Sequence, residues 1–263
     1  MYTTVEMNLM NQVHPDARVG NNVKIGAFTC IYDNVEIGDN CEIANNVTIF
    51  PGARIGDGVK IFPGAVIAGV PQDLKFKGEE TLAFIGNGTT IRECATVNRG
   101  TASRGFTKVG DNCLIMAYTH IAHDCVIGNR VIISNATQLA GEVVVDDCAV
   151  IGGGSLVHQF CHLGKHIMLQ GGALVNKDIP PYVKAAREPI SYVGLNTIGM
   201  HRHGFSAEKI QTITEIYRIL YMSDLNVTNA VRQIREQIPA GEIRDEILHF
   251  VEHSQRGIIR SVL

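Results

Sequence analysis

Two histidines three residues apart are the side chains whose types and spacing best suit chemistry. They are His120 and His123 in the stretch THIAHDC, where Asp124 and Cys125 directly follow the second histidine. Residue type alone leaves three interpretations open: two ligands of a metal ion, a general base beside a carboxylate, or polar side chains on the surface of a strand. The direction in which each side chain points must decide among them, and that direction depends on the surrounding elements.

Composition and charge exclude several classes of protein. The 263 residues are 45% hydrophobic and 19% charged, as in an ordinary folded domain. A formal net charge of −3 gives no electrostatic case for binding nucleic acid. The N-terminal stretch MYTTVEMNLM lacks the features of a signal peptide, and no stretch approaches the roughly 20 apolar residues of a membrane span. Seven cysteines without a CxxC pair favour reduced thiols in a cytoplasmic protein over a disulfide framework or a zinc finger.

An aliphatic residue recurs at every sixth position along much of the chain. The series runs from Val13 to Ile67, resumes from Ile85 to Val97 and resumes again from Val109 to Val175, with a smaller or β-branched residue two positions before most members. A period of six fits neither a helix nor one long strand, but it fits a short strand and a turn, repeated. Three such units would make one coil of the hexapeptide parallel β-helix, whose known members wind left-handed.

Two polar stretches interrupt this series without changing its phase. They lie near residues 68–81 and 99–108, and each contains Gly or Pro. Because the phase is preserved, we expect loops that project from an uninterrupted solenoid, and long loops often carry function.

The period stops after NKDIPPY, and stripes of apolar residues with helical spacing follow. They predict a helix capped by Ser206, a second that begins near Val227 and a third that begins near Glu242. The predicted fold class is therefore mainly β, with a left-handed parallel β-helix over residues 1–190 and a C-terminal α-helical domain over residues 191–263.

The period also assigns directions within THIAHDC. Ile121 and Cys125 fall at inward positions, which are also the positions of Cys41, Cys113 and Cys161. His120 is then the outward neighbour of Ile121, and His123 lies at the following turn. Both histidines can therefore face one outer corner of the coil.

A metal site at this corner would need a third ligand. One period of three units from His120 lie Ala102 and Gln138, and the same distance from His123 lie Gly105 and Gly141. None of these side chains binds metals well, whereas zinc needs at least three protein ligands. The metal interpretation is therefore the weaker one, although a neighbouring chain could supply the third ligand.

A general base needs only one imidazole, which can accept a hydroxyl proton at neutral pH. Asp124 could fix the tautomer of His123 and stabilise its imidazolium. Gly141 could present its backbone N–H to a developing oxyanion. From the residues alone, a general base and a merely solvated pair of histidines remain equally open.

Longer motifs accompany this stretch, among them QDLKFKGE (72–79), IRECATVNRGT (91–101), GGGSLVHQF (152–160), DIPPY (178–182) and GMHRHGFS (199–206). Over essentially its full length the sequence resembles the family of acyl-[acyl-carrier-protein]–UDP-N-acetylglucosamine O-acyltransferases. The resemblance implies transfer of an (R)-3-hydroxyacyl chain from acyl carrier protein to the 3-hydroxyl of UDP-N-acetylglucosamine, the first step of lipid A biosynthesis.

The resemblance also implies catalytic roles. His123 would be the general base, Asp124 would orient its ring, and the N–H of Gly141 would stabilise the oxyanion. Gly171 falls where the family sets acyl length, and its missing side chain implies that a long chain is accommodated.

Further residues would bind the substrates by the same resemblance. Gln72 and Asp73 would hold the sugar, and Lys75 would lie near the phosphopantetheine of the carrier. The nucleotide and acyl cleft would be lined by His120, His158, Gln159, Asn196 and Arg202.

The family further implies a homotrimer with active sites between chains. It implies no metal and no tightly bound cofactor, because acyl carrier protein with its phosphopantetheine is a co-substrate. The sequence departs from the family pattern at four positions: Asn98 replaces the His of HRG, Glu142 stands where many relatives carry His, Pro189 lies in the acyl groove and His203 replaces the second Arg of RRGF. We expect Glu142 to point away from the diphosphate, since two negative charges would repel each other.

Three alternative functions remain open. The chain could be another hexapeptide acyltransferase, one that uses acetyl-CoA or acts at a later step of lipid A assembly. It could be a γ-type metal-dependent carbonic anhydrase, or a solenoid without catalytic activity. The tail motif HRHGFS argues against the simple acetyl-CoA enzymes.

Overall fold

The computed structural model describes residues 10–261. Internal contacts group the chain into two compact units, one ending at Cys125 and the other beginning at Val126, and each is described by itself. Residues 1–9, on which the expectation about a signal peptide mainly falls, lie outside the described residues. The predicted domain boundary after residue 190 stays a prediction.

Short strands separated by tight turns make up the first unit. In chain order they are β1 (Gln12–Val13), β2 (Arg18–Val19), β3 (Lys24–Ile25), β4 (Cys30–Ile31), β5 (Glu36–Ile37), β6 (Glu42–Ile43), β7 (Thr48–Ile49), β8 (Ala53–Ile55), β9 (Lys60–Ile61), β10 (Val66–Gly69), β11 (Leu82–Ile85), β12 (Thr90–Ile91), β13 (Thr96–Asn98), β14 (Phe106–Val109), β15 (Leu114–Ile115) and β16 (His120–Ile121).

Each strand pairs in parallel with the strand three places further along the chain. Ile31 of β4 lies opposite Ile49 of β7, which in turn lies opposite Ile67 of β10. All three isoleucines are buried, because residues at the same position of successive coils point to the same side of the backbone. The six-residue series is therefore the inside of the coils, as predicted.

The turns between strands use left-handed backbone conformations. Asn22, Asn34, Asn40 and Asn46 all have φ between 50° and 58°, a region that asparagine tolerates better than most residues. Asn22 donates a side-chain hydrogen bond to Asn40 one coil further on. The coils thus repeat their turns as well as their strands.

Both predicted interruptions are loops inserted between paired strands. The first joins β10 to β11 across residues 70–81, and the second joins β13 to β14 across residues 99–105. Val66 still pairs with Thr96, and Thr96 pairs with His120. The ladder therefore continues past both loops, although the second lengthens the step between stacked residues to 24.

The second unit continues with the same kind of strand and adds all the helices. Its strands are β17 (Val126–Ile127), β18 (Ile132–Ile133), β19 (Gln138–Leu139), β20 (Val144–Val145), β21 (Val150–Ile151), β22 (Leu156–Val157), β23 (His162–Leu163), β24 (Met168–Leu169), β25 (Leu174–Val175), β26 (Val183–Ala186), β27 (Ser191–Leu195) and β28 (Arg260–Ser261). Its helices are α1 (Thr197–Arg202), α2 (Ala207–Met222), α3 (Val227–Gln237) and α4 (Glu242–His253).

The three predicted helices are confirmed as α2, α3 and α4. Ser206 caps α2 by accepting a hydrogen bond from the N–H of Lys209, and Asn226 caps α3 in the same way through Asn229. Two elements were not predicted, α1 and β28, and β28 returns the chain to pair with β27. Within residues 10–261, no helix has the length and apolar character needed to cross a bilayer.

Candidate active site

The strand and turn around THIAHDC separate its side chains as the six-residue period predicts. Ile121 and Cys125 are fully buried, whereas His120 and His123 are partly exposed. His120 is the outward residue of β16, and His123 lies in the turn that follows. The predicted directions of these four side chains are confirmed.

His123 and Asp124 form a hydrogen-bonded pair. Nδ1 of His123 lies 2.8 Å from Oδ2 of Asp124. The imidazole is 17% exposed and the carboxylate is completely buried. Asp124 adopts a left-handed conformation with φ 61°, so the chain turns sharply between the imidazole and the next strand. The pair joins an accessible base to a buried acceptor.

The loop after β13 surrounds the Asp124 carboxylate with donors. Thr101 donates its backbone N–H at 3.0 Å and its hydroxyl at 2.6 Å, and Arg104 donates its backbone N–H at 3.2 Å. The backbone N–H of Asp124 itself donates to the hydroxyl of Thr107 at 2.8 Å. Because a buried carboxylate is costly unless it is hydrogen-bonded, these donors are what allows an ionised Asp124 inside the coil.

This arrangement determines which nitrogen of His123 is available for chemistry. An ionised carboxylate can only accept hydrogen bonds, so Nδ1 of His123 carries the proton that faces Asp124. Nε2 then has the free lone pair. The ring is held in the tautomer that a general base requires.

His120 has a separate partner. Its Nδ1 lies 2.7 Å from the hydroxyl of Thr96, the residue that stacks beneath it in β13. Burial, and secondarily the nearby His123, lowers the pKa of His120 below its ordinary value, so its imidazole is neutral at neutral pH. The sequence-based expectation that Ala102 lies one coil before His120 is wrong, because the second loop adds six residues to that coil.

The first loop carries three of the predicted substrate-binding residues. Gln72 and Lys75 are exposed, and the carboxylate of Asp73 accepts the backbone N–H of Lys75 at 2.9 Å. Two contacts hold this loop within the unit. The Asn98 side chain donates to the carbonyl of Val70 at 2.8 Å, and the Arg99 guanidinium lies over the Phe76 ring at 5.3 Å.

The remaining coil residues of the predicted site lie in the second unit. Gly141 is buried in the turn after β19, and its carbonyl accepts the N–H of Phe160 at 3.2 Å. His158 and Gln159 are adjacent and exposed just after β22. Gly171 is exposed in the turn after β24, with a backbone conformation that also allows other residues.

Asn196 and Arg202 lie at the two ends of α1. The Asn196 side chain accepts the N–H of Gly199 at 3.1 Å as the cap of this helix, and it donates to the carbonyl of His166 at 2.9 Å. Arg202 is the exposed last residue of the helix. Asn196 therefore has a structural role in addition to the one the resemblance implies.

Thr101 and Arg104 are the parts of this site that sequence analysis missed. Both lie in a stretch that interrupts the six-residue period, where no spacing rule relates a residue to the coil beside it. The sequence offers one signal, which is that the polar loop is only two strands from THIAHDC. Neither histidine of that stretch belongs to a group of three potential metal ligands among residues 10–261.

Two family models match the chain. The model described as UDP-N-acetylglucosamine O-acyltransferase, domain 2, matches residues 178–259, which include all four helices. The model for the bacterial transferase hexapeptide matches residues 16–51 and 106–141. The two models thus meet both kinds of structure in the chain, the short-stranded coils and the helical region.

Similar proteins cover almost the whole sequence. The acyl-[acyl-carrier-protein]–UDP-N-acetylglucosamine O-acyltransferase of Myxococcus xanthus is 44% identical over 249 residues, which are 94% of this chain and 96% of that protein. The crystal structure of the UDP-N-acetylglucosamine acyltransferase from Bacteroides fragilis is 48% identical, with a TM-score of 0.93 over 99% of this chain and 100% of its own. The Francisella novicida enzyme is 39% identical, with a TM-score of 0.93 over 97% of this chain and 94% of its own.

These similarities confirm the fold class predicted from the six-residue period, a left-handed parallel β-helix of hexapeptide repeats with a C-terminal helical region. They extend over both units and over every motif on which the resemblance was based. The chain therefore belongs to the family of acyl-[acyl-carrier-protein]–UDP-N-acetylglucosamine O-acyltransferases.

Proposed function

We propose that this protein transfers an (R)-3-hydroxyacyl chain from acyl carrier protein to the 3-hydroxyl of UDP-N-acetylglucosamine, with His123 as the general base. Family membership supports the reaction, and one structural observation supports the base. That observation is the His123 imidazole paired with a completely buried carboxylate that three further donors hold in place.

In the proposed reaction, Nε2 of His123 takes the proton of the sugar hydroxyl as the oxygen attacks the thioester carbonyl. A carbon–oxygen bond forms, and the carbonyl oxygen becomes an oxyanion. When the tetrahedral intermediate collapses, the carbon–sulfur bond breaks and the proton passes from His123 to the departing thiol of the phosphopantetheine. The thioester supplies the activated acyl group, so this sequence of steps uses no bound cofactor.

Asp124 would act through His123 rather than on the substrate. The carboxylate keeps the proton on Nδ1, and it stabilises the imidazolium that forms when Nε2 becomes protonated. The N–H of Gly141 is the proposed donor to the oxyanion. His120 would contribute as a neutral imidazole, since burial lowers its pKa.

Substrate binding is assigned from the family resemblance. Gln72 and Asp73 are the proposed contacts of the sugar, Lys75 is proposed for the carrier, and Gly171 for the end of the acyl chain. The proposed lining of the nucleotide and acyl cleft consists of His120, His158, Gln159, Asn196 and Arg202. A homotrimer in the cytoplasm belongs to the same proposal.

The test is a transfer assay with UDP-N-acetylglucosamine and a series of 3-hydroxyacyl carrier proteins of different chain length. We expect an acylated sugar nucleotide, and a loss of kcat of about 100- to 10 000-fold in His123→Ala. His162→Ala is the matched control, because His162 also contacts a carboxylate, that of Asp146 at 2.9 Å, but has no proposed role. This control is expected to retain wild-type turnover.

Two results would contradict the proposal at different levels. If no chain length gives a product while acetyl-CoA or an already acylated glucosamine does, the chain is another hexapeptide acyltransferase. If the acylated product forms and His123→Ala turns over at a near-normal rate, the reaction is right and the general base is wrong. Hydration of carbon dioxide that depends on added metal would favour the carbonic anhydrase alternative instead.

A further inference from the structure

A thiol and two imidazoles converge in the second unit, on residues to which the proposed reaction gives no role. Sγ of Cys148, a ring nitrogen of His166 and a ring nitrogen of His203 all lie within 4.8 Å of one another. Cys148 is 4% exposed, His166 is partly buried and His203 is exposed. The three residues thus lead from the interior of the unit to its surface.

The coil places the first two of these side chains one above the other. Cys148 and His166 are 18 residues apart, and both are left-handed turn residues, with φ of 59° and 55°. Their backbone N–H groups make equivalent hydrogen bonds, to the carbonyls of Asn129 at 2.9 Å and Asp147 at 3.0 Å. His203 joins them from the C-terminal end of α1, where its N–H caps the helix. Three separate segments therefore bring their side chains to one point.

Aromatic rings hold the His166 imidazole in a fixed orientation. Tyr182 stacks on it with a centroid distance of 5.8 Å, and Phe205 meets it edge-on at 5.1 Å. The Tyr182 hydroxyl is itself anchored to Glu246 at 3.0 Å. A ring that is fixed before a ligand arrives loses little conformational entropy on binding.

His166 also has a polar atom without a partner. Its Nδ1 is buried and makes no hydrogen bond to any of the described residues. A buried polar atom left in this state normally costs free energy. Burial, together with the nearby His203, Lys165 and Arg130, lowers the pKa of His166 to about 4, so the ring is neutral at neutral pH and one of its nitrogens has a free lone pair.

We propose that Cys148, His166 and His203 form a binding site for one zinc ion. A thiolate and two neutral imidazoles are the ligands that zinc prefers, and three protein ligands leave the fourth tetrahedral position to water. Since His203 is exposed, that position is at the surface. This proposal is independent of the proposed acyl transfer.

The distances fit with a small adjustment. Zinc bonds of about 2.3 Å to sulfur and 2.0 Å to nitrogen place tetrahedral ligand atoms roughly 3.3–3.6 Å apart. The present maximum of 4.8 Å is therefore about 1 Å too long. His203 is the ligand that can close this distance, because its side chain is exposed whereas Cys148 and His166 are held by the coil.

The local charges are mixed. Arg130 and Lys165 lie near His166 and oppose a cation, whereas Asp147 favours one. Glu246 forms an ion pair with Lys165 and so offsets part of its charge. Binding converts the Cys148 thiol to a thiolate, which adds a negative charge to the site and releases one proton for each zinc ion bound.

Such an ion would have a structural effect. It would fix the C-terminal end of α1 to the coil, and Arg202 is the residue directly before the ligand His203. Asn196 already holds the other end of α1 through the carbonyl of His166. The zinc ion would therefore restrain the helix that carries two of the proposed substrate-binding residues.

The test measures metal binding directly, on the full chain freed of metal by a chelator. Zinc uptake is measured by equilibrium dialysis, and Co²⁺ is added as a spectroscopic probe because a cobalt–thiolate bond gives an intense charge-transfer band. We expect one zinc ion per chain, a thiolate band with Co²⁺, and about a 100-fold or greater loss of affinity in Cys148→Ser and in His203→Arg. His203→Arg changes an exposed side chain, so it tests the site even if Cys148→Ser does not fold.

Two control variants exclude other sources of binding. Cys94→Ser removes an exposed thiol, and the double variant His249→Ala/His253→Ala removes a surface pair whose rings lie 4.0 Å apart. Both are expected to keep the thiolate band and the affinity of the wild type. The proposal fails if the wild type binds no stoichiometric zinc, if His203→Arg binds it as tightly, or if either control abolishes the thiolate band.

Discussion

Thr101 makes two hydrogen bonds to the carboxylate of Asp124, one from its backbone N–H at 3.0 Å and one from its hydroxyl at 2.6 Å. The loop after β13 therefore determines the position of Asp124, and Asp124 determines the tautomer of His123. The orientation of the proposed base depends on a segment that has no regular secondary structure. This dependence leads to the first two predictions.

Asp124→Asn should lower kcat by about 100-fold or more while KM changes little. An amide has one donor and one acceptor end, so it cannot accept from Thr101, Arg104 and His123 together. Steady-state kinetics of acyl transfer test this expectation. Asp146→Asn, which alters the carboxylate paired with His162, serves as the control and should retain wild-type kcat. A kcat for Asp124→Asn within threefold of the wild type would rule out an orienting role.

Thr101→Val should lower kcat by about 10-fold, which corresponds to about 1.4 kcal/mol. It removes the hydroxyl donor to Asp124 and keeps the backbone donor, so the carboxylate remains in place with weaker support. Thr89→Val is the matched control, because the buried Thr89 hydroxyl also makes two hydrogen bonds, to Gly110 and from Cys113. Both variants should unfold at a lower temperature, and only Thr101→Val should lose kcat. Equal kinetic effects in the two variants would indicate a general loss of stability.

Most of the coil was predictable because a single rule generates it. An aliphatic residue at every sixth position fixes the strand, the turn and the inward direction together, so Ile121 and Cys125 could be placed from the sequence alone. Two elements escaped prediction for a physical reason. The six residues of α1 and the two of β28 are too short to show a period, and β28 exists only because β27 is available to pair with it.

The candidate site was predictable only where it follows the same rule. His123 and Asp124 are neighbours in sequence, and their direction follows from the position of Ile121. Thr101 was missed because its loop lengthens one coil, so no fixed spacing relates it to Asp124. Cys148 and His166 do lie one regular coil apart, and this spacing was available in the sequence but was not used.

Gly171→Met should shift the acyl preference toward shorter chains. The position is exposed in a turn, and a side chain there would begin 3.1 Å from the carbonyl oxygen of Gly153, so it must project away from the coil. If the acyl chain ends at this position, we expect a loss of about 10- to 200-fold in kcat/KM for the longest carrier-bound chain that the wild type accepts. Gly171→Ala should give an intermediate effect. The same order of preference in all three proteins would place the end of the acyl chain elsewhere.

Asn196→Ala should lower both the stability and the activity of the protein. The side chain caps α1 through Gly199 and also donates to the carbonyl of His166, so its loss should cost about 1 kcal/mol or more of unfolding free energy even without substrate. Asn226→Ala is the matched control, because Asn226 caps α3 through Asn229 and has no proposed contact with substrate. Denaturant unfolding and steady-state kinetics should show comparable destabilisation in both variants and an increase in the KM for UDP-N-acetylglucosamine only in Asn196→Ala. An unchanged KM in Asn196→Ala would mean that Asn196 supports the helix without contacting the nucleotide.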